Sequence, residues 1–449
     1  MKWSNFILNS KVLSQKSWGI SVLFLLFGNV LFAQKQKPET DIFIDNLFFI
    51  TEVMVTDVAS PPAAARFYAY STLAAQTAWI FATKSPIEES LISKSNHFLP
   101  EVQIDSENIE PHFVSIYAML EVGKQIMPSG NVLSSKQEKL VDLFVKSKWI
   151  SKKQIDQNLN FAKYVAEKIL NIAKNDNYNR LSTLTRYSPK NKEGHWYPTP
   201  PAYMAAIEPE WRTISPFFIQ NLSLYKPKAP APFSLEPGSS FYNQLQEVYQ
   251  VTSNLDEESK LIANFWDCNP FMVQYSGHMA IGIKKISPGG HWVGITGIAS
   301  KKANLNWKET LFIHGLLSMG LHDAFISCWE EKYDSDRIRP ESAINKYVDQ
   351  DWRPLLQTPP FPEYTSGHSV VSSMSATLLT DFFGENFDFI DTSEVYFGLP
   401  ERHFSSFYQA AEEAAISRLY GGIHFRDAIE EGTKQGKIIG QDILKRINP

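Results

Sequence analysis

Between residues 184 and 240 the chain cannot form one continuous helix. The segment carries Trp196, Pro198, Pro200, Pro201, Trp211, Pro216, Pro227, Pro230, Pro232 and Pro237. A proline inside a helix removes a backbone donor and its ring clashes with the preceding turn. A stretch of this length without a regular element is a long ordered excursion. It divides a sequence that is otherwise helical in pattern. Apolar periodicity predicts helices from about 42 to 81, with Ser60-Pro61-Pro62 starting one at the usual proline position, and at 109–128, 134–148 and 151–174. Beyond the excursion it predicts helices at 241–250, 256–267, 276–284, 288–300, 305–333, 367–383, 404–420 and 426–446. Alternating β-branched residues are scarce, so the expected fold is mainly α, two helical bundles packed together. The expected divisions are a segment at 1–33, an N-terminal helical domain at 40–235 that takes in most of the 184–240 excursion, and a C-terminal helical domain at 236–449.

The N-terminal segment reads as a secretory signal. Lys2, Lys11 and Lys16 precede an apolar run from Ile20 to Phe32, and Ala33-Gln34 offers a cleavage point. The expected location is therefore outside the cytoplasm, periplasmic or secreted. The run is too short and too early for a membrane span, and no later stretch reads as one, so an integral membrane protein is not expected. A net charge of −5 gives the chain no electrostatic reason to seek nucleic acid, so any anion must be captured by a local cationic pocket. Two cysteines, Cys268 and Cys328, make no disulfide framework; they could pair or stay as two buried thiols. Oligomeric state is not readable.

Three segments in the last third carry the chemistry. They are Lys332 with Arg339-Pro340, then Ser366-Gly367-His368, then Ser417-Arg418 with His424. Together they supply three cations, a hydroxyl, a glycine that bares the backbone, and two imidazoles. That inventory suits one task, which is wrapping a tetrahedral or trigonal-bipyramidal oxyanion. Each has a plainer reading alone. Lys332 would favour a helix C-terminus, Ser366 would be an ordinary N-cap, Arg418 would pair with Glu412 or Glu413, and His424 would cap a helix. All of these would have to coincide in order and spacing.

The same residues resemble the signature that joins the type-2 phosphatidic acid phosphatases to the vanadium-dependent haloperoxidases. Lys332 is followed by six residues and Arg339-Pro340, and Arg418 by five residues and His424. Trp329, Phe361, Trp196-Tyr197-Pro198-Thr199-Pro200-Pro201, Phe265-Trp266-Asp267 and Gly289-Gly290-His291-Trp292 resemble the bacterial, iodoperoxidase-like branch of the haloperoxidases. The chain departs from the family's pattern at Thr365, where a proline usually stands, and at Ala428, four residues after His424, where many relatives have an acid. The resemblance implies a vanadate/phosphate site in the C-terminal bundle, with one vanadate per chain bound to His424. His368 would be the acid–base group, and Lys332, Arg339, Ser366, the Gly367 amide and Arg418 would hold equatorial oxygens. Lys332 would also polarise hydrogen peroxide. Trp329, Phe361 and, more weakly, Tyr364 would form an apolar wall for the halide, iodide before bromide, and small organic acceptors could follow. Two other outcomes stay open on the residues: an exported acid phosphatase with His424 as nucleophile, and a non-catalytic oxyanion-binding protein.

Overall fold

The computed structural model describes residues 38–99 and 106–448; the expected signal at 1–33 lies outside them. In the N-terminal half, α1 (Pro38–Thr56) leads to α2 (Pro61–Ala82), whose start is set by Ser60. The Ser60 hydroxyl accepts from the Ala63 amide while two prolines fill the first turn, where a missing N–H costs nothing. The short α3 (Leu91–Lys94) precedes α4 (Pro111–Ile126), α5 (Ser134–Lys146) and α6 (Ile155–Lys174). Alanines 63, 64, 65, 69, 74, 75 and 78 are all buried, and such small side chains let α2 pack between α4 and α10 (Trp307–Ser335).

Residues 184–239 hold no α-helix, only the short 3-10 turns at Trp211–Thr213 and Leu222–Tyr225. The helical pattern returns with α7 (Ser240–Ser253) and α8 (Glu257–Phe265). The helix expected at 276–284 is instead part of an antiparallel hairpin, β1 (Val273–Ser276) and β2 (Met279–Gly282). Gly277 takes φ +59° in its two-residue turn, a conformation glycine adopts freely, and that turn overrides a weak helical pattern. Next come α9 (Pro288–Lys302) and then α10, the helix Trp307–Ser335 already named. By length and hydropathy α10 could cross a membrane, contrary to the sequence expectation, but it is buried almost throughout as the central helix of the fold.

The remaining elements are α11 (Pro340–Tyr347), α12 (Gly367–Phe383), a second hairpin of β3 (Phe389–Asp391) and β4 (Arg402–Phe404), α13 (Phe407–Tyr420) and α14 (Arg426–Ile447). Helix α10 packs against α2 on one side and α12 on the other, and the described residues form one compact unit. Helix α12 lies between α13 and α14. A Cβ at Gly436 would stand 2.0 Å from the Val370 carbonyl oxygen, so only glycine permits this approach of α14 to α12. That contact sets α12 against the middle of α14, and the Ser366 amide, donating to the Ala428 carbonyl at 3.0 Å, ties the start of α12 to the start of α14, just after His424.

Candidate active site

The three sequence segments meet at the ends of five helices. Lys332 sits in the last turn of α10, and Arg339 is the residue before α11. Ser366 caps α12, whose first residues are Gly367 and His368. Arg418 lies in the last turn of α13, and His424 lies in the loop before α14. Gly422 makes that loop possible at φ +75°. One cavity is walled by Trp329, Phe361, Gly367, His368, Arg418 and His424, together with residues 267–271.

His424 is fixed at both nitrogens. Its Nδ1 lies 2.9 Å from Glu363 Oε1, and Arg339 Nη1 donates to its Nε2 at 3.1 Å. Glu363 Oε1 also accepts from the Phe425 amide at 2.9 Å, and Arg337 Nη1 donates to Oε2 at 3.3 Å. A carboxylate so loaded with donors takes the Nδ1 proton as well, leaving a lone pair on Nε2. Burial and the charges of Arg339, Lys332 and Arg418 hold the His424 pKa well below its ordinary value, so the ring is neutral. Glu363 gave no signal in the sequence beyond being an acid in a proline-rich turn. It stands where the missing acid after His424 would be needed. Asp427, one position short of that place, turns to Arg337, Gln244 and the Ala231 amide instead.

Positive charge exceeds negative here. Arg339 donates to the carbonyls of Phe361 and Ile423, but its Nη2 is buried without a partner. Arg418 reaches the Ser417 hydroxyl and the carbonyls of Ala263 and Trp266, not Glu412 or Glu413; Glu413 is taken by Arg402 and Trp266 Nε1. Lys332 spends its three donors on the carbonyls of Pro362, Glu363 and Thr365, so it supplies field rather than a free hydrogen bond. Its burial, with Arg339 nearby, pulls its pKa down to about 7, while burial pushes Glu363 up to about 7. Asp267, on the cavity wall, is held by Lys285 at 2.5 Å. His368 Nε2 is buried without a partner, and burial followed by the Arg418 charge holds its pKa well down.

Trp329 and Phe361 pack with ring centroids 4.9 Å apart on the cavity wall, and the Lys332 ammonium lies 5.1 Å from the Phe361 centroid. Tyr364 does not join them. Its hydroxyl donates to the Lys228 carbonyl and its ring faces Arg337, because the chain turns away from the cavity after Glu363. Thr365, in the place of the usual proline, donates its hydroxyl to Gln435 Oε1 at 2.7 Å, a tie to α14 that proline could not make. Asp323 accepts the amides of Phe217, Phe218 and Ile219 and anchors the middle of the excursion. Cys268 and Cys328 are both buried and unpaired.

Residues 312–448 match the family described as the VCPO second helical-bundle domain. A solved bacterial vanadium-dependent iodoperoxidase is 40% identical, with a TM-score of 0.83 over 92% of this chain and 98% of its own. A bacterial vanadium-dependent chloroperoxidase in its holo form shares the fold at 15% identity and TM-score 0.63, over 87% of this chain and 93% of its own. Its apo form gives 15% and 0.64, over 86% and 92%. No curated protein sequence matches.

Proposed function

The chain belongs to the vanadium-dependent haloperoxidases, and from that premise we propose that it oxidises iodide, with bromide as a second halide, using hydrogen peroxide. The product is hypohalous acid, and small organic acceptors would take the halogen. The observation that supports this most is the buried group of Arg339, Arg418, His368 and His424, in which Arg339 Nη2 and His368 Nε2 have no partner beside a neutral imidazole whose Nε2 is met by Arg339 Nη1. Uncompensated buried donors and cations are costly unless an anion completes them.

The residues present fit one vanadate per chain. His424 Nε2 would be its ligand, oriented by Glu363. Arg339 Nη2, Arg418, the Ser366 hydroxyl and the Gly367 amide at the start of α12 would hold its oxygens. Bound there, vanadate supplies a Lewis acid that activates peroxide without a change of oxidation state. His368, neutral and close by, would accept or return the proton that peroxide must lose and water must gain. Lys332 holds positive charge behind the site through three carbonyls. Trp329 and Phe361 keep bulk water off and offer a polarisable apolar face to a large halide.

The test is reconstitution of the vanadate-free protein. Iodide oxidation should appear only when vanadate and peroxide are both added, with bromide slower and chloride slowest. A phosphoester arm runs beside it, because the same cradle accommodates phosphate. Hydrolysis of p-nitrophenyl phosphate without halide oxidation would overturn the proposal in favour of a phosphatase, and anion binding without either turnover would leave a binding protein. Export is also proposed, on the basic and apolar pattern of residues 1–33.

A further inference from the structure

Beside the oxyanion cavity lies a second buried cluster that no step above uses. Cys268 follows α8, His291 is in the first turn of α9, and Glu394 follows β3. All three are buried. Cys268 Sγ is 3.5 Å from His291 Nδ1, and Glu394 Oε1 is 3.3 Å from the same nitrogen without hydrogen-bond geometry. These three donor atoms lie within 4.8 Å of one another, the one such group among the described residues.

We propose that Cys268, His291 and Glu394 form a divalent metal site of zinc type, distinct from the oxyanion cradle. Zinc bonds of about 2.3 Å to sulfur and about 2.0–2.1 Å to nitrogen and oxygen require tetrahedral S···N and N···O edges of about 3.5 and 3.3 Å. The two edges at His291 Nδ1 fit these values, and the third, from the sulfur to Glu394 Oε1, is within 4.8 Å. The outer shell matches as well. His291 Nε2 meets Asp391 Oδ2 at 2.7 Å, so a carboxylate holds the far side of the ring and turns Nδ1 toward the sulfur and Glu394. Trp266 stacks on that ring with centroids 4.4 Å apart, fixing its plane. Glu394 Oε1 is buried with no hydrogen bond, its charged neighbour His291 Nδ1 standing off at 3.3 Å, and a cation between them would complete it. One soft sulfur, one imidazole and one carboxylate suit a borderline cation such as zinc rather than magnesium or calcium. Three protein donors leave a fourth position for water.

The site would brace the loop 266–271. Cys268 lines the oxyanion cavity, and the Trp266 carbonyl accepts from Arg418 Nη2 at 2.7 Å. The experiment uses the full chain purified without vanadate in chelator-treated buffer, equilibrated with zinc alone, desalted and assayed for metal by mass spectrometry. About one zinc per chain is expected in the wild type and in Cys328→Ser, with affinity lowered at least about 100-fold in Cys268→Ser and Glu394→Gln. Zinc held equally by all four proteins, or by none, overturns the proposal. Should the two ligand variants fail to fold, cobalt added to the wild type decides it. A thiolate-to-cobalt charge-transfer band with tetrahedral visible bands supports the site, and a purely octahedral spectrum overturns it.

Discussion

Arg66 in α2 and Arg339 before α11 are both withdrawn from water, yet they are matched in opposite ways. Arg66 Nε meets Asp176 Oδ2 at 2.6 Å, its Nη2 donates to the Ala173 carbonyl, and the rings of Tyr70 and Tyr178 cover its face. Nothing about it asks for a ligand. Arg339 shares its surroundings with Lys332 and Arg418. Glu363, the carboxylate that acts most on Arg339, is shared with Arg337 and His424, and Arg339 Nη2 has no partner. Burial alone therefore does not mark a functional site. Burial of positive charge beyond what the protein itself neutralises does, because the deficit is made good when an anion arrives.

The sharpest break of this contrast is His424→Ala. Vanadate-reconstituted iodide oxidation should fall by about 10³-fold or more, the scale of losing a reacting-centre group. Circular dichroism and cooperative melting should remain those of the wild type. A variant that keeps a tenth of its activity would remove His424 from the reacting centre. The opposite pattern is expected at the satisfied pair. Asp176→Asn leaves Arg66 buried without its counter-charge and should cost about 3–5 kcal/mol in denaturant unfolding, with oxyanion affinity of the folded protein unchanged. A loss below about 1 kcal/mol would mean that the two arginines are not differently matched.

Anion linkage gives the next effect. Molybdate, a dianion across neutral pH, should stabilise the vanadate-free wild type by about 2.7 kcal/mol at a hundred times its Kd. The same free concentration should do much less for Arg339→Ala, read as a shift in melting temperature. Glu363→Gln should weaken vanadate binding by about 10–100-fold, since His424 then loses the carboxylate that sets its tautomer. Unchanged affinity would show that Glu363 only packs.

The smallest effect is in pH. Lys332, with its pKa drawn down to about 7, loses its charge as pH rises through that value in the anion-free protein. Glu363, raised to about 7, gains a negative charge in the same window. Both changes oppose an anion. Molybdate affinity should therefore be greatest below about pH 7 and fall by up to about tenfold per unit above it. Titration calorimetry from pH 6 to 8 checks this, and an affinity that rises with pH would reverse the assignment of charge.

The helical class, the break at 184–240 and the residues that converge on the cavity were legible because each rests on local chemistry. Prolines forbid a helix wherever they occur, apolar periodicity follows the helical repeat, and a serine or proline starts a helix through its immediate neighbours. The hairpin at 273–282 was not legible, because a single glycine turn decided between two weak patterns. Glu363 was not legible either. Nothing near it in the chain distinguishes it from any other acid in a turn, and its partner His424 arrives from a different helix junction. Likewise Lys332 looked like a donor for the bound ion, and only the packed loop 362–365 shows its three hydrogens already engaged.

Sequence by itself determined which chemical groups are present, in what order, and which segments are helical, since these depend on residue type and short-range spacing. Tertiary structure alone decided which of those groups are neutralised and which are left wanting a partner. That balance depends on distances between elements far apart in the chain, such as the 3.1 Å from Arg339 to His424, and on the withdrawal of water that makes an unmatched charge costly.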